Sequence, residues 1–264
     1  MKPSNTSQNP STPPAIRTDL RLDGILPSGE VHVWYTDLSV QENRLEERSS
    51  LLDSTERERA ARFLVSSAKN QFVLSRSFLR ILLGKYLGIE PAELRFHVSA
   101  NGKPELPGSG LYFNLSHTEG TTTIAVTQAG RVGVDVERIR ENLKPLELAE
   151  RFFSSKEVAW LKAQPAAEQF SAFFACWATK ESYIKAWGEG LSMPLQEFSL
   201  IPRGGNTRLQ LEVFRNPDAA AAWSVWQLDL GPGLCSAVAV EAQECAVRVG
   251  RWVPEGSYLQ PEER

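Results

Sequence analysis

The sequence predicts an α+β fold of two similar helix-plus-antiparallel-sheet halves, and three observations lead there. Short segments of alternating apolar residues flank two long helical stretches, each long stretch runs into glycine, and the order strand, helices, strands is followed by helices and strands again. No repeat of fixed period accompanies this coarse similarity. The halves are expected to meet near Gly130, which gives an N-terminal tail over residues 1–25, a first half over 26–130, a second over 131–254 and a C-terminal tail over 255–264.

The elements follow in order. Val31, Val33 and Tyr35 alternate with His32, Trp34 and Thr36 as an opening strand. Asp53 and Glu56 suit the start of a helix, and from Arg57 to Leu87 apolar residues including Phe63, Phe72, Leu79, Leu83 and Tyr86 keep helical spacing until Gly88. Glu90 to Glu93, with Pro91 early, suits a short helical turn, and Leu94, Phe96 and Val98 alternate ahead of the Asn101 Gly102 turn. Strands are expected at Leu111–Leu115, Thr122–Thr127 and Val132–Ile139. Ser154 and Glu157 spell a capping box for a helix near Ser155. Phe170, Phe173, Phe174, Trp177, Ile184 and Trp187 stripe a second long helix that ends near Gly188 and Gly190. Five strands complete the pattern: Phe198–Ile201, Leu209–Phe214, Trp223–Leu230, Ala237–Val240 and Val247–Val253.

Bulk properties narrow the function. Of 264 residues, 42% are hydrophobic and 23% charged, a soluble globular balance. With 29 basic and 32 acidic side chains the net charge is -3, so there is no general field to draw in nucleic acid, and an anionic ligand must be held locally. Cys176, Cys235 and Cys245 show neither Cys-x-x-Cys nor zinc-finger spacing, which points to a reduced, cytoplasmic setting. Residues 1 to about 15 are rich in Ser, Pro, Asn and Thr without a signal-peptide core and are expected to be disordered. No apolar run approaches the ~20 residues needed to span a bilayer, so membrane insertion is not expected.

One segment carries chemistry. Along Val132 Gly133 Val134 Asp135 Val136 Glu137, alternation sends the valines to one face and Gly133, Asp135 and Glu137 to the other. The two carboxylates, ~7 Å apart by strand rise, can share one hard cation through oxygen, and Gly133 is expected to leave room for a ligand. Taken alone, the triplet is an ordinary acidic edge. The second long helix changes the balance, because Trp177, Glu181 and Lys185 are spaced four apart on one side with Lys180 adjacent, clustering one carboxylate and two ammonium groups. Trp177 itself belongs with the core. Ser116 and His117, at the end of Asn114 Leu115 Ser116 His117, can bind phosphate, the imidazole becoming cationic more readily beside an anion. Gly102 Lys103 Pro104 adds a rigid turn bearing a cation.

In this order, these segments and Trp177 Ala178 Thr179 Lys180 Glu181 Ser182 Tyr183 Ile184 Lys185 resemble the 4′-phosphopantetheinyl transferases of the surfactin-synthetase-activating type, over about Arg62 to Leu200. The resemblance implies a monomer of two pseudo-twofold halves with coenzyme A in the cleft between them. It also implies Mg²⁺ held by Asp135, Glu137 and Glu181, lysines Lys180 and Lys185 neutralising charge on the pyrophosphate, and an apo acyl or peptidyl carrier protein as acceptor. Ser116 and His117 would contact the 3′-phosphate, Gly102, Lys103 and Pro104 would border the adenine, and Glu181 or a water held by the carboxylates would take the proton of the carrier serine. The segment after Arg62 Phe63 lacks a basic residue frequent in the family, and Arg76, ahead of Lys69 and Arg80, is the expected substitute. Two other readings compete: a non-catalytic carrier- or nucleotide-binding module, and a metal-dependent phosphodiesterase.

Overall fold

The computed structural model describes residues 16–18, 20–188, 193–202 and 207–253. The chain runs β1 (Glu30–Asp37), α1 (Leu45–Ser50), α2 (Ser54–Ala61), α3 (Ser66–Leu87), β2 (His97–Val98), β3 (Pro104–Glu105), β4 (Tyr112–Thr118), β5 (Thr121–Thr127) and β6 (Val132–Arg138). It continues through α4 (Pro145–Phe152), α5 (Ser155–Lys162), α6 (Gln169–Trp187), β7 (Phe198–Pro202), β8 (Leu209–Val213), β9 (Ser224–Leu228), β10 (Leu234–Val240) and β11 (Ala246–Arg251). The architecture is the expected mixture of helix and largely antiparallel sheet. None of the described helices is long and apolar enough to cross a membrane.

Two principal sheets, in the orders β11-β1-β5-β4 and β6-β10-β9, stack on a common core. Alternation assigns the faces: Val31 and Val33 of β1 join Val132, Val134 and Val136 of β6 and Val238 and Val240 of β10, all essentially inaccessible. The intervening Trp34 turns outward to Phe78, Leu79, Leu82 and Leu83 of α3. On the far side, Tyr183, Ile184 and Ala186 of α6 pack with Val225 of β9 and Ala239 of β10. The order of layers is therefore α3, first sheet, second sheet, α6.

Local signals held where they rested on hydrogen bonding. Both capping boxes form, Asp53 with Glu56 ahead of α2 and Ser154 with Glu157 ahead of α5. Gly88 and Gly188 terminate α3 and α6 in the left-handed region, with φ of 65° and 77°. The expected contribution of Gly190 lies outside the described residues.

Three expectations change. The helical run from Arg57 to Leu87 is two helices, broken at Arg62–Val65. Its periodicity persisted across the break because Phe63 still packs on Phe72, ring centres 5.4 Å apart. Residues 16–18 and 20–25 are not a loose tail: Arg17 bonds in register to Val247 and Val249, and Leu20 is buried beside Trp34. The rest of that tail, residues 1–15, and the tail over 255–264 lie outside the described residues. Finally β11, from the second half by sequence, pairs with β1 of the first sheet and does so in parallel. Val247 and Val249 fill the same inter-sheet core as Val31 and Val33, so burial chose this partner.

Gly133 fixes the spacing between β6 and α6. A Cβ there would sit 2.1 Å from the Ser182 carbonyl oxygen and 2.3 Å from the Ala186 nitrogen, so helix backbone occupies the space a side chain would need. The glycine admits the helix and not a ligand, contrary to the sequence expectation. Gly133→Ala is expected to cost at least about 3 kcal/mol, the upper range of overpacking, because backbone atoms cannot rotate away. Chemical denaturation of the variant checks this; an unchanged midpoint would mean that α6 retreats freely.

Candidate active site

The site lies where the open edges of the two sheets, β4 and β6, run side by side. Their backbones do not pair as a ladder, and side chains of β4 make the connection instead. Asn114 Oδ1 accepts from Val134 N at 2.9 Å, Ser116 Oγ donates to Asp135 Oδ1 at 2.8 Å, and Thr118 Oγ1 accepts from Arg138 N at 3.3 Å. Positions 114, 116 and 118 share a face by strand alternation, so one row of small polar residues joins the halves.

Helix α6 completes the cluster. Lys185 Nζ donates to Asp135 Oδ1 at 2.5 Å and to Ser116 Oγ at 2.9 Å. Asp135 is 3% exposed, and its second oxygen, Oδ2, has no hydrogen-bond partner although it is buried. An orphaned carboxylate oxygen is costly. Burial, with Asp135 beside it, pushes the Glu137 carboxyl up to about 7 despite Arg140 at 3.8 Å. Burial and Asp135 likewise raise Glu181, with Lys185 pulling the other way. The three acids therefore feel one another's charge across the junction of β6 and α6. Among the described residues no three such groups stand close enough together to form a ready cation cage. The donor set still suits a hard divalent ion: all its ligands are oxygens, one of them is unpaired, and the excess negative charge invites a cation.

Lys180 does not join them. Its ammonium is fully buried on the other side of α6, donating to both Glu157 carboxylate oxygens at 2.8 and 2.7 Å and to the Phe198 carbonyl at 2.8 Å. Adjacent helix positions differ by about 100° in direction, which is why Glu181 and Lys180 part company. Glu157 also accepts from Leu200 N at 3.0 Å and from Ser154, so this pair ties α5, α6 and β7. Trp177, as expected, is packed among Phe152, Phe153 and Phe173.

Arg76 is likewise occupied. It bonds Glu56 at 2.8 Å beneath the Phe96 ring, while fully buried Arg80 bonds Asp53 and Glu56, each at 2.6 Å. These arginines brace α2 against α3, so the expected phosphate contact by Arg76 is not what the geometry supports. Lys69 remains exposed.

The Gly102 Lys103 Pro104 turn reaches across the molecule. Lys103 Nζ donates to the Val132 carbonyl at 3.1 Å and the Lys185 carbonyl at 2.9 Å, and Asn101 Nδ2 donates to the Gly188 carbonyl at 2.8 Å. Lys103 therefore clamps β6 to the end of α6, and burial lowers it from 10.5 to about 8.

His117 faces away from Ser116, toward α3, where Gln71 Nε2 lies 2.7 Å from its Nδ1. Partial desolvation of the ring first, then Lys185, lowers its proton affinity, although the residue is exposed over much of its surface. Sequence reasoning missed Arg59, Gln71 and the bridging use of Asn114. Arg59 and Gln71 sit on helices whose spacing gave no sign of β4, whereas the i, i+2, i+4 polar row from Asn114 was visible as a pattern.

Fold and site bring Asp135, Ser116 and Lys185 together at the junction of two sheet edges, with Glu137 and Glu181 within electrostatic reach, an arrangement of charges that suits an anionic phosphoryl ligand with a cation. The comparisons with known proteins are specific. The signature of the 4′-phosphopantetheinyl transferase superfamily matches residues 131–244, and that of the N-terminal region of 4′-phosphopantetheinyl transferase matches residues 39–129. The chain is 36% identical over 220 residues to the 4′-phosphopantetheinyl transferase HetI of Nostoc sp., covering 81% of this chain and 89% of that one. It is 30% identical over 208 residues to the 4′-phosphopantetheinyl transferase Sfp of Bacillus subtilis, covering 77% and 88%. Among solved structures, the holo-[acyl-carrier-protein] synthase of Thermotoga maritima aligns with 43% of this chain and 63% of that one at 20% identity, TM-score 0.35. The chain belongs to the 4′-phosphopantetheinyl transferases. It is an enzyme of that family, and neither the non-catalytic module nor the phosphodiesterase reading finds support.

Two measurements probe these placements. Lys180→Met leaves a buried carboxylate unpaired and is expected to cost about 3–5 kcal/mol of stability; a large fall in kcat with an unchanged melting temperature would return Lys180 to the reaction centre. Lys103, with a folded value near 8 below its unfolded 10.5, binds fewer protons folded than unfolded between those limits. Its contribution to stability therefore rises as pH climbs from about 8 to 10.5. Relative to Lys103→Met, the wild type should gain stability across that window in urea titrations, and a flat difference would remove the lowered value.

Proposed function

We propose that the protein transfers the 4′-phosphopantetheine group of coenzyme A to a serine of an apo acyl or peptidyl carrier protein, releasing adenosine 3′,5′-bisphosphate, with Mg²⁺ at the carboxylate trio. The observation that carries this reading is the junction of Asp135, Ser116 and Lys185 across β6, β4 and α6, with Asp135 Oδ2 buried and unpaired. Family membership supports the group transferred, and the charged junction of the two sheet edges is the proposed place for its donor.

Asp135, Glu137 and Glu181 would hold the ion, which when bound neutralises charge on the pyrophosphate. Lys185, 2.5 Å from Asp135, is placed for its ammonium to pair with a phosphate oxygen of the donor. The serine oxygen bonds to phosphorus as the bond from phosphorus to the bisphosphate oxygen breaks, and charge accumulates on the departing side. Glu181, or a water held by the carboxylates, accepts the serine proton; burial and Asp135 already raise the proton affinity of Glu181. Ser116 and His117 flank the β4 edge and are the proposed contacts of the 3′-phosphate. Lys103 supports the adenine side by fixing its turn on α6. Lys180 contributes by holding α6 in place. The enzyme is proposed to act as a cytoplasmic monomer.

Incubating the protein with coenzyme A, Mg²⁺ and an apo carrier should raise the carrier's intact mass by one phosphopantetheine. Asp135→Ala should lower that rate on the order of a hundredfold or more while the circular dichroism spectrum is retained. Normal turnover by the variant, or full activity after exhaustive chelation of divalent ions, would remove the metal from this reading.

A further inference from the structure

The amide of Gln71 touches two groups, and together they leave it one orientation. Its Nε2 lies 3.1 Å from the Thr118 carbonyl oxygen and 2.7 Å from His117 Nδ1. A carbonyl oxygen only accepts, so the Gln71 atom facing it must be the NH₂ group. That group then also faces Nδ1, and two N–H groups cannot face each other at 2.7 Å. Nδ1 must therefore carry the lone pair, and the ring proton resides on Nε2. His117 is an exposed residue of the edge strand β4, so a ligand can reach the ring.

We propose that Gln71 is a positioning residue that locks His117 as the neutral Nε2–H tautomer, so that the ring meets an anionic group of the donor substrate as a hydrogen-bond donor and not as a cation. The proposal rests on the reading of His117 as a phosphate contact. Among the groups facing the ring, Lys185 on α6 and, more weakly, Arg59 at the end of α2 oppose a further positive charge, while a hydrogen bond to the residue's own backbone and Asp135 of β6 favour one. Positive charge for the phosphate then comes from Arg59 and Lys185, while His117 supplies direction. One consequence is that binding of the phosphate does not wait on protonation of the imidazole. Gln71 has two donors to spend, and its two acceptors come from successive residues of one strand, which makes the lock independent of the substrate.

The full-length protein contains three histidines, His32, His97 and His117, so long-range ¹H–¹⁵N spectra can assign each ring with the help of a His117→Gln variant. His117 should show a protonated Nε2 and a bare Nδ1. In Gln71→Glu the carboxylate accepts from Nδ1–H, the tautomer reverses, and the KM for coenzyme A at pH 8 should rise about tenfold with kcat little changed, the loss of one hydrogen bond to a charged group. Lowering the pH should restore the KM as Nε2 regains its proton, and Gln71→Asn should fall between the two. A wild-type ring protonated on Nδ1, or a Gln71→Glu variant whose tautomer or KM is unchanged, would overturn the proposal. Equal use of coenzyme A and 3′-dephospho-coenzyme A by the wild type would overturn the phosphate contact, and the positioning role with it, while the tautomer measurement would still stand.

Discussion

The contact between α6 and β6 organises everything else in the molecule. Where Gly133 meets the backbone of Ser182 and Ala186, helix and strand come closer than any side chain would permit. One helical turn and two strand positions on, that closeness becomes the meeting of Lys185 with Asp135 and the approach of Glu181 to the same carboxylate. The side chains of the candidate site need no long, flexible reach, and little side-chain entropy is lost in assembling them. The strand itself is held from its other side by the valine core, so neither partner in the contact can drift.

Around this contact, buried ion pairs act as rivets. Glu157 with Lys180 joins α5, α6 and β7, and Asp53 and Glu56 with Arg76 and Arg80 join α2 to α3. Such pairs are weak evidence for net stability, because burial of each charge costs much of what the pairing returns. Their geometric demands are strict, however, and they fix helix orientation near a site where small displacements matter. The same motif therefore contains residues with opposite tasks. Glu181 and Lys185 lie on the side of α6 toward Asp135, while Lys180, next to Glu181 in sequence, holds the scaffold.

Much of this was legible in the sequence wherever a residue's role depended on near neighbours. Capping boxes at Asp53 and Ser154, helix stops at Gly88 and Gly188, and the facing of Asp135 and Glu137 all follow from spacing alone. Roles set by distant partners were not legible. Nothing near Gly133 in sequence announces the backbone of Ser182, nothing near Arg76 announces Glu56 across a helix break, and helical spacing places Lys180 beside Glu181 without saying which of the two faces a cleft. The parallel pairing of β11 with β1 belongs to the same class, since a valine-rich strand fits either sheet until the competing core is known.

That pairing bears on how the protein is made. The first sheet takes its outer strand from residues 246–251 and its neighbour from residues 30–37, so more than two hundred residues separate partners that must meet. During synthesis the edge of β1 stays uncovered until residues 246–251 have emerged, and closing so long a loop slows this pairing. The two halves, separate as they look along the sequence, are therefore completed together, by a strand from far down the chain that closes the core between the sheets.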